Sequence, residues 1–178
     1  MDLTRPQAPD PYDFLPPVPT FDVRSEDVSP GEVLSLDHVY GGAGGHDISP
    51  HLAWAGFPAA TRSFAVTVFD PDAPTASGWW HWQVIDVPAA VTELPRGAGR
   101  PDGALLPAGA VQMRNDYGDR GFGGAGPPPG DVLHHYYFVV HALDDTLRLA
   151  PDTTNAVVGF HLTAHALGRA TIVGTYRH

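Results

Sequence analysis

The sequence predicts a mostly β domain, sandwich-like or built on a large mixed sheet, with one helix near the C-terminus. Three observations carry this. Twenty glycines and 19 prolines punctuate 178 residues, a density of turn-formers suited to strands and ordered loops and unsuited to a helical bundle. β-branched and aromatic runs of strand length recur along the chain. One segment alone, late in the sequence, repeats apolar residues at helical spacing.

Taken in order, residues 1–20 carry Pro6, Pro9, Pro11, Pro16, Pro17 and Pro19. Each proline fixes φ and removes a backbone donor, so an extended arm is expected there. Residues 33–40 read as a first strand, ended by Gly41, Gly42, Gly44 and Gly45. Residues 63–69 (Ser-Phe-Ala-Val-Thr-Val-Phe) read as a buried strand and residues 80–87 as another, stopped by Pro88. Residues 95–109 are Gly/Pro-rich and read as a loop, 110–114 as a short strand, and 117–130 as a long glycine–proline loop. Residues 132–143 form the longest strand expected. A helix is expected over 152–167, capped by Asp152 or Thr153, with Val157, Phe160, Ala164 and Leu167 on its buried face. Residues 170–176 return as a last strand. The length suits one domain spanning 1–178 with the arm at its start.

Composition excludes several function classes. Ten Lys+Arg stand against 20 Asp+Glu, a net charge of -10, so nucleic acid and anionic bilayers are repelled on average. All ten cations are arginine. Without lysine there is no P-loop lysine and no Schiff-base chemistry. Without cysteine there is no disulfide, thiolate nucleophile or iron–sulfur cluster. The first residues have neither a basic nor an apolar leader region, and no apolar run approaches the roughly 20 residues of a membrane span, so a cytoplasmic protein is expected.

Three short motifs carry little. Gly121, Gly123 and Gly126 match G-x-G-x-x-G, but Pro127, Pro128 and Pro129 follow where a pyrophosphate-binding helix would have to begin. His161 and His165 lie at i, i+4, yet Leu162 stands where a zinc protease has glutamate. Asp70-x-Asp72 lacks the turn glycine and distal glutamate of a calcium loop.

Three other segments converge. Asp70-Pro71-Asp72-Ala73-Pro74 follows the buried strand and holds two carboxylates in a rigid turn. In Gly78-Trp79-Trp80-His81-Trp82, strict alternation places His81, Gln83 and Ile85 on one face and Trp80, Trp82 and Val84 on the other. After Gly126-Pro127-Pro128-Pro129-Gly130, residues His134, Tyr136 and Phe138 share a face while His135 and Tyr137 point away. If these strands are neighbours, His81, His134 and Tyr136 line one pocket with Asp70 and Asp72. Imidazoles and a phenol supply donors for an oxyanion, and the carboxylates can orient the imidazoles or meet an ammonium group. The tryptophans 79, 80 and 82 are expected in the core or the pocket wall.

These segments, with Asn115-Asp116-Tyr117-Gly118 upstream and Gly174-Thr175-Tyr176 downstream, resemble the two signature regions of the phosphatidylethanolamine-binding proteins, in particular the bacterial Raf-kinase-inhibitor-like branch. The resemblance spans about residues 20–177, and paired signatures are more specific than one short motif. It implies a large central antiparallel sheet, a second smaller sheet, and a shallow anion pocket formed by Asp70, Asp72, His81, Pro128, His134 and Tyr136. It also implies a homodimer, as bacterial members often form. One departure is His135, where family members usually carry arginine. The function expected is non-catalytic binding of a phosphate-bearing or other anionic small ligand, such as a phospholipid headgroup, with no cofactor and no resident metal. The alternative is an interaction module that inhibits a kinase or protease, with the arm and the 117–130 loop as its surfaces. A metal-assisted hydrolase is disfavoured because no activated nucleophile is visible.

Overall fold

The computed structural model describes residues 3–178. In chain order its elements are strands β1 (Asp22–Arg24), β2 (Leu52–Ala55), β3 (Ser63–Asp70), β4 (Trp79–Pro88), β5 (Glu93–Leu94), β6 (Val111–Gln112) and β7 (His134–Leu143), helix α1 (Asn155–His165) and strand β8 (Ala166–Tyr176). Five strands make one antiparallel sheet in the order β6-β4-β3-β7-β8, and three make a small one, β1-β2-β5. Among the described residues no helix is long and apolar enough to cross a membrane.

β3 sits in the middle and every one of its residues is buried, which is why its sequence runs apolar without alternation. On one face Phe64, Val66 and Val68 join Trp82, Phe138 and Val140, and pack against Leu52 and Trp54 of the small sheet. On the other face Ala65, Ile85, Met113 and Leu143 are covered by Val158 and Leu162 of α1. The fold is therefore a sandwich on one side and a helix-covered sheet on the other.

The structure departs from the sequence expectations in several places. Residues 33–40 are not a strand: Val33 and Val39 make isolated bridges to Thr175 and Ala125, with a 3-10 turn, Leu36–His38, between them. The backbone there is satisfied by the following loop, whose His46 and Ile48 amides donate to the carbonyls of Leu36 and Asp37. The helix runs from Asn155 to His165, not over 152–167: Thr154 takes the N-cap position, Asp152 pairs instead with Arg114 and Arg120 at 3.2 and 2.9 Å, and Leu167 lies in β8. Its buried face is Val158 and Leu162, whereas Val157 and Phe160 are 44% and 71% exposed. Apolar side chains lie on several sides of this helix, so periodicity could not choose among them. Its roll is set by Asn155 Nδ2, which donates to Asp116 Oδ1, and by direct continuation into β8. Finally, β4 does not alternate strictly. Trp80 pairs with Phe69 and Trp82 with Val68, which leaves His81 as an extra residue in a bulge.

The proline-rich arm is extended apart from one 3-10 turn, Pro11–Phe14, and it is not free. Gln7 Nε2 donates to the Leu133 carbonyl at 2.8 Å, Ala8 N–H to Asp72 Oδ1 at 2.7 Å, and Arg169 N–H to the Pro19 carbonyl at 3.0 Å.

The helix roll can be checked by urea denaturation. Leu162→Ala should cost about 2–4 kcal/mol through the cavity it leaves, while Phe160→Ala should stay within about 0.5 kcal/mol. Equal costs at both positions would mean that a different face is buried.

Candidate functional site

Two turns at the end of the central sheet bring the chemistry together. Where β3 ends, the Asp72 amide donates to Asp70 Oδ1 at 2.8 Å, an Asx turn that locks the carboxylate. Before β7, the Asp131 amide donates to the Pro128 carbonyl at 3.1 Å across Pro129 and Gly130. Gly130 has φ 81°. That is the third position of a type II turn, where glycine alone is unstrained.

His134 lies between these turns, 1% exposed. Its Nδ1 contacts Asp70 Oδ2 at 2.7 Å and its Nε2 contacts Asp131 Oδ2 at 3.2 Å. A carboxylate only accepts, so both ring nitrogens carry protons and the ring is an imidazolium. Burial alone would lower its pKa, but Asp70 and Asp131 outweigh burial and raise it. Asp131 is fixed in turn. Burial pushes its pKa up, but the Arg5 guanidinium, the Val132 amide and His134 hold it down at about 2. Arg5 also donates to the Asp72 carbonyl.

His81 behaves differently. Its Nδ1–H donates to the Gly123 carbonyl at 2.8 Å, so Nε2 holds a lone pair, and this buried Nε2 has no partner. Burial lowers its pKa, and the Asp70 charge and the loop carbonyls offset that only in part. The ring stands edge-on to Tyr136 and Tyr117, at 5.2 and 5.7 Å. The bulge is what turns His81 and Trp82 to the same side, Trp82 going into the core. The Tyr136 hydroxyl is also buried without a hydrogen-bond partner, and burial and Asp70 push its pKa far up, so it remains a donor.

These groups border a pocket of about 230 Å³ lined by Asp70, Trp79, His81, Tyr117, Pro128 and His134, among others. Four of the six expected site residues therefore line it: Asp70, His81, Pro128 and His134. Tyr136 lies behind the wall, in ring contact with both histidines. Asp72 is turned away. Its carboxylate accepts from the Ala8 amide and, at 2.9 and 2.8 Å, from the backbone and Nδ1 of His135. His135 thus points away from His134, as expected, and occupies the second carboxylate.

Trp79 lines the wall, as one of the two places expected for it. Three contributors were not expected. Tyr117 lines the wall and lay within a segment already singled out for another reason. Asp131 stands three residues before His134, and Arg5 is remote in sequence; neither carries a local signal. The glycine motif has a packing cause. A Cβ on Gly123 would lie 2.4 Å from the Tyr117 ring, and one on Gly121 2.7 Å from the Gly99 carbonyl oxygen.

The Arg5–Asp131 pair can be tested by unfolding Arg5→Ala at neutral pH and at about pH 3. At neutral pH it should cost about 1–2 kcal/mol, the worth of charged hydrogen bonds to a buried carboxylate. Asp131 has a depressed folded pKa, so the stability it contributes is present above the ordinary carboxylate pKa and is lost as pH falls toward about 2. The difference from the unmodified chain should accordingly shrink in acid. A pH-independent difference would mean that Arg5 acts by packing.

Comparison with known proteins agrees with this fold. A family model described as phosphatidylethanolamine-binding protein matches residues 24–177. The UPF0098 protein YbcL of Escherichia coli is 52% identical over 159 residues, covering 88% of this chain and 87% of YbcL. The UPF0098 protein YbhB of the same organism is 46% identical over 155 residues, covering 85% of this chain and 97% of YbhB. The crystal structure of E. coli YbcL, presented as a new member of the mammalian PEBP family, matches with a TM-score of 0.86 at 50% identity, over 89% of this chain and 98% of that one. With the family model spanning most of its length, the chain belongs to the phosphatidylethanolamine-binding protein family.

Proposed function

We propose that the pocket binds the oxyanion of a small phosphate-bearing ligand, such as a phospholipid headgroup, without transforming it. The observation that carries this is a set of buried polar atoms left without partners at one small cavity: His81 Nε2 and the indole Nε1 of Trp79 on lining residues, and Tyr136 Oη on the residue directly behind the wall. Buried polar atoms are rarely left unpaired, and the cost of doing so is recovered when a ligand supplies the partner. Two of these atoms are donors. His81 becomes a third on taking a proton, which an incoming anion favours. The His134 imidazolium adds a fixed positive charge, held in place by Asp70 and Asp131.

Binding without covalent chemistry is supported by the pocket's one hydroxyl-bearing aliphatic side chain. Thr75 Oγ1 donates to the Gly78 carbonyl at 2.6 Å and so is occupied in its own turn. The carboxylates, expected either to orient imidazoles or to meet an amine, are spent on orientation: Asp70 on His134, Asp72 on His135 and the arm. The arm's engagement with the body is also why partner capture by a free arm is not the reading adopted.

An NMR titration with phosphoethanolamine, with inorganic phosphate and ethanolamine run beside it, checks the proposal. The ring signals of His81 and His134 should shift saturably, and His81→Ala should weaken binding by about tenfold or more. Equal binding of inorganic phosphate would assign the site to the anion alone, and unchanged affinity in His81→Ala would overturn the reading. Sulfate, which does not titrate in this range, isolates the protein's own pH dependence. His81 must gain a proton to donate, and its free pKa is low. Sulfate affinity should therefore rise as pH falls from about 8 toward the His81 pKa and level off below it. A flat profile would exclude His81 as a donor.

A further inference from the structure

The opposite face of the central sheet holds a second cavity, of about 450 Å³, enclosed by the arm's turn Pro11–Phe14, the sheet and α1. Adjacent residues serve the two sites. Asp70 and His81 line the first, while Phe69 and Trp80 line the second, because successive strand residues face opposite sides. The volume is that of an ordinary small-molecule site. Leu15, Phe69, Trp80 and Leu162 make its walls largely apolar.

Four polar side chains interrupt those walls: Tyr12, Thr163, and the cross-strand neighbours His141 on β7 and Arg169 on β8, which pair in register. His141 is 3% exposed; its Nε2 meets Thr67 Oγ1 at 3.1 Å, and its buried Nδ1 has no partner. Burial, with Arg169 close by, holds its pKa down at about 3, so the ring is neutral. In the tautomer in which the Thr67 hydroxyl donates to Nε2, Nδ1 carries the proton and is a free donor, and a bound anion selects that tautomer. Arg169 is half-buried over the Tyr12 ring, 5.2 Å from its centre, and its Nη2 makes one long bond of 3.3 Å, to the Pro16 carbonyl. No carboxylate among the described residues lies within ion-pair distance of it. Asp10, whose charge acts on Arg169, has Oδ1 occupied by the Tyr12 amide.

A separate observation comes from α1. Gly159 lines this cavity from mid-helix, without a positive φ, and a Cβ built on it would meet nothing within 4 Å. Neither backbone conformation nor crowding requires glycine there; an alanine would favour the helix. What glycine preserves is open space.

We propose that this cavity is a second binding site, for an apolar small molecule carrying one carboxylate. Its hydrocarbon part fills the space beside Gly159, Phe69 and Trp80, and its carboxylate sits between the Arg169 guanidinium and the His141 Nδ1–H. The site shares no lining residue with the oxyanion pocket, so it stands or falls independently of that reading.

Calorimetric titration of the full chain with octanoate, below its micellar range, tests this, with 1-octanol as the uncharged control. Octanoate should saturate one site, and octanol should bind at least about tenfold more weakly. Arg169→Gln should lower octanoate affinity by about tenfold and leave octanol unchanged. Gly159→Leu should abolish binding of both. An unaltered thermal midpoint in each variant serves as the fold control and does not depend on the first pocket. Absence of saturable octanoate binding, equal affinity for octanoate and octanol, or indifference to Gly159→Leu would overturn the proposal. So would light scattering that shows a dimer broken by Gly159→Leu in a chain that takes no octanoate, because the occupant would then be a second copy.

Discussion

A protonated imidazole withdrawn from water has to be matched on both of its nitrogens, and His134 meets that demand with Asp70 on one edge and Asp131 on the other. Each carboxylate then needs its own anchor. Asp70 is held by an Asx turn after β3, and Asp131 by a proline–glycine turn and by Arg5 from the arm. Removing one partner from such a chain leaves an uncompensated buried charge, which is far more costly than losing a surface ion pair. The arm, both turns and the start of β7 are consequently one electrostatic unit.

That unit also divides labour between the two pocket histidines. His134 is charged, and neither of its protons is free for a ligand. His81 is neutral, with a nitrogen that faces no partner. The difference follows from what each ring nitrogen meets: carboxylates in one case, a peptide carbonyl in the other. One residue inserted into β4 makes it possible, since without the bulge His81 could not face the pocket while Trp82 beside it enters the core on the same side of the sheet. The same sheet keeps Phe69 and Trp80 on that far face, where they border the second cavity.

Much of the fold could be read from local chemistry. β3, β4 and β7 are long, largely buried runs rich in β-branched and aromatic residues, and the 170–176 part of β8 carries the same signal. Asp70, His81 and His134 were legible as a site because prolines and glycines pin them at strand ends. The strands β1, β2 and β5 escaped notice, being only three, four and two residues long and held together by pairing across distant segments. Residues 33–40 looked like a strand because Leu34, Val39 and Tyr40 suit one, yet no neighbouring strand accepts their hydrogen bonds as a ladder.

By itself the sequence determined the β-rich class, the family and four of the residues that line the pocket, because these follow from composition, short-range turns and side-chain type. Tertiary structure alone decided which carboxylate serves the pocket, which face of α1 is buried, and that Arg5 reaches Asp131. Asp70 and Asp72 are chemically alike and two residues apart. They part company only because one meets a histidine from β7 and the other meets the arm and His135. Such pairings join residues more than 60 positions apart in sequence, and local spacing carries no record of them.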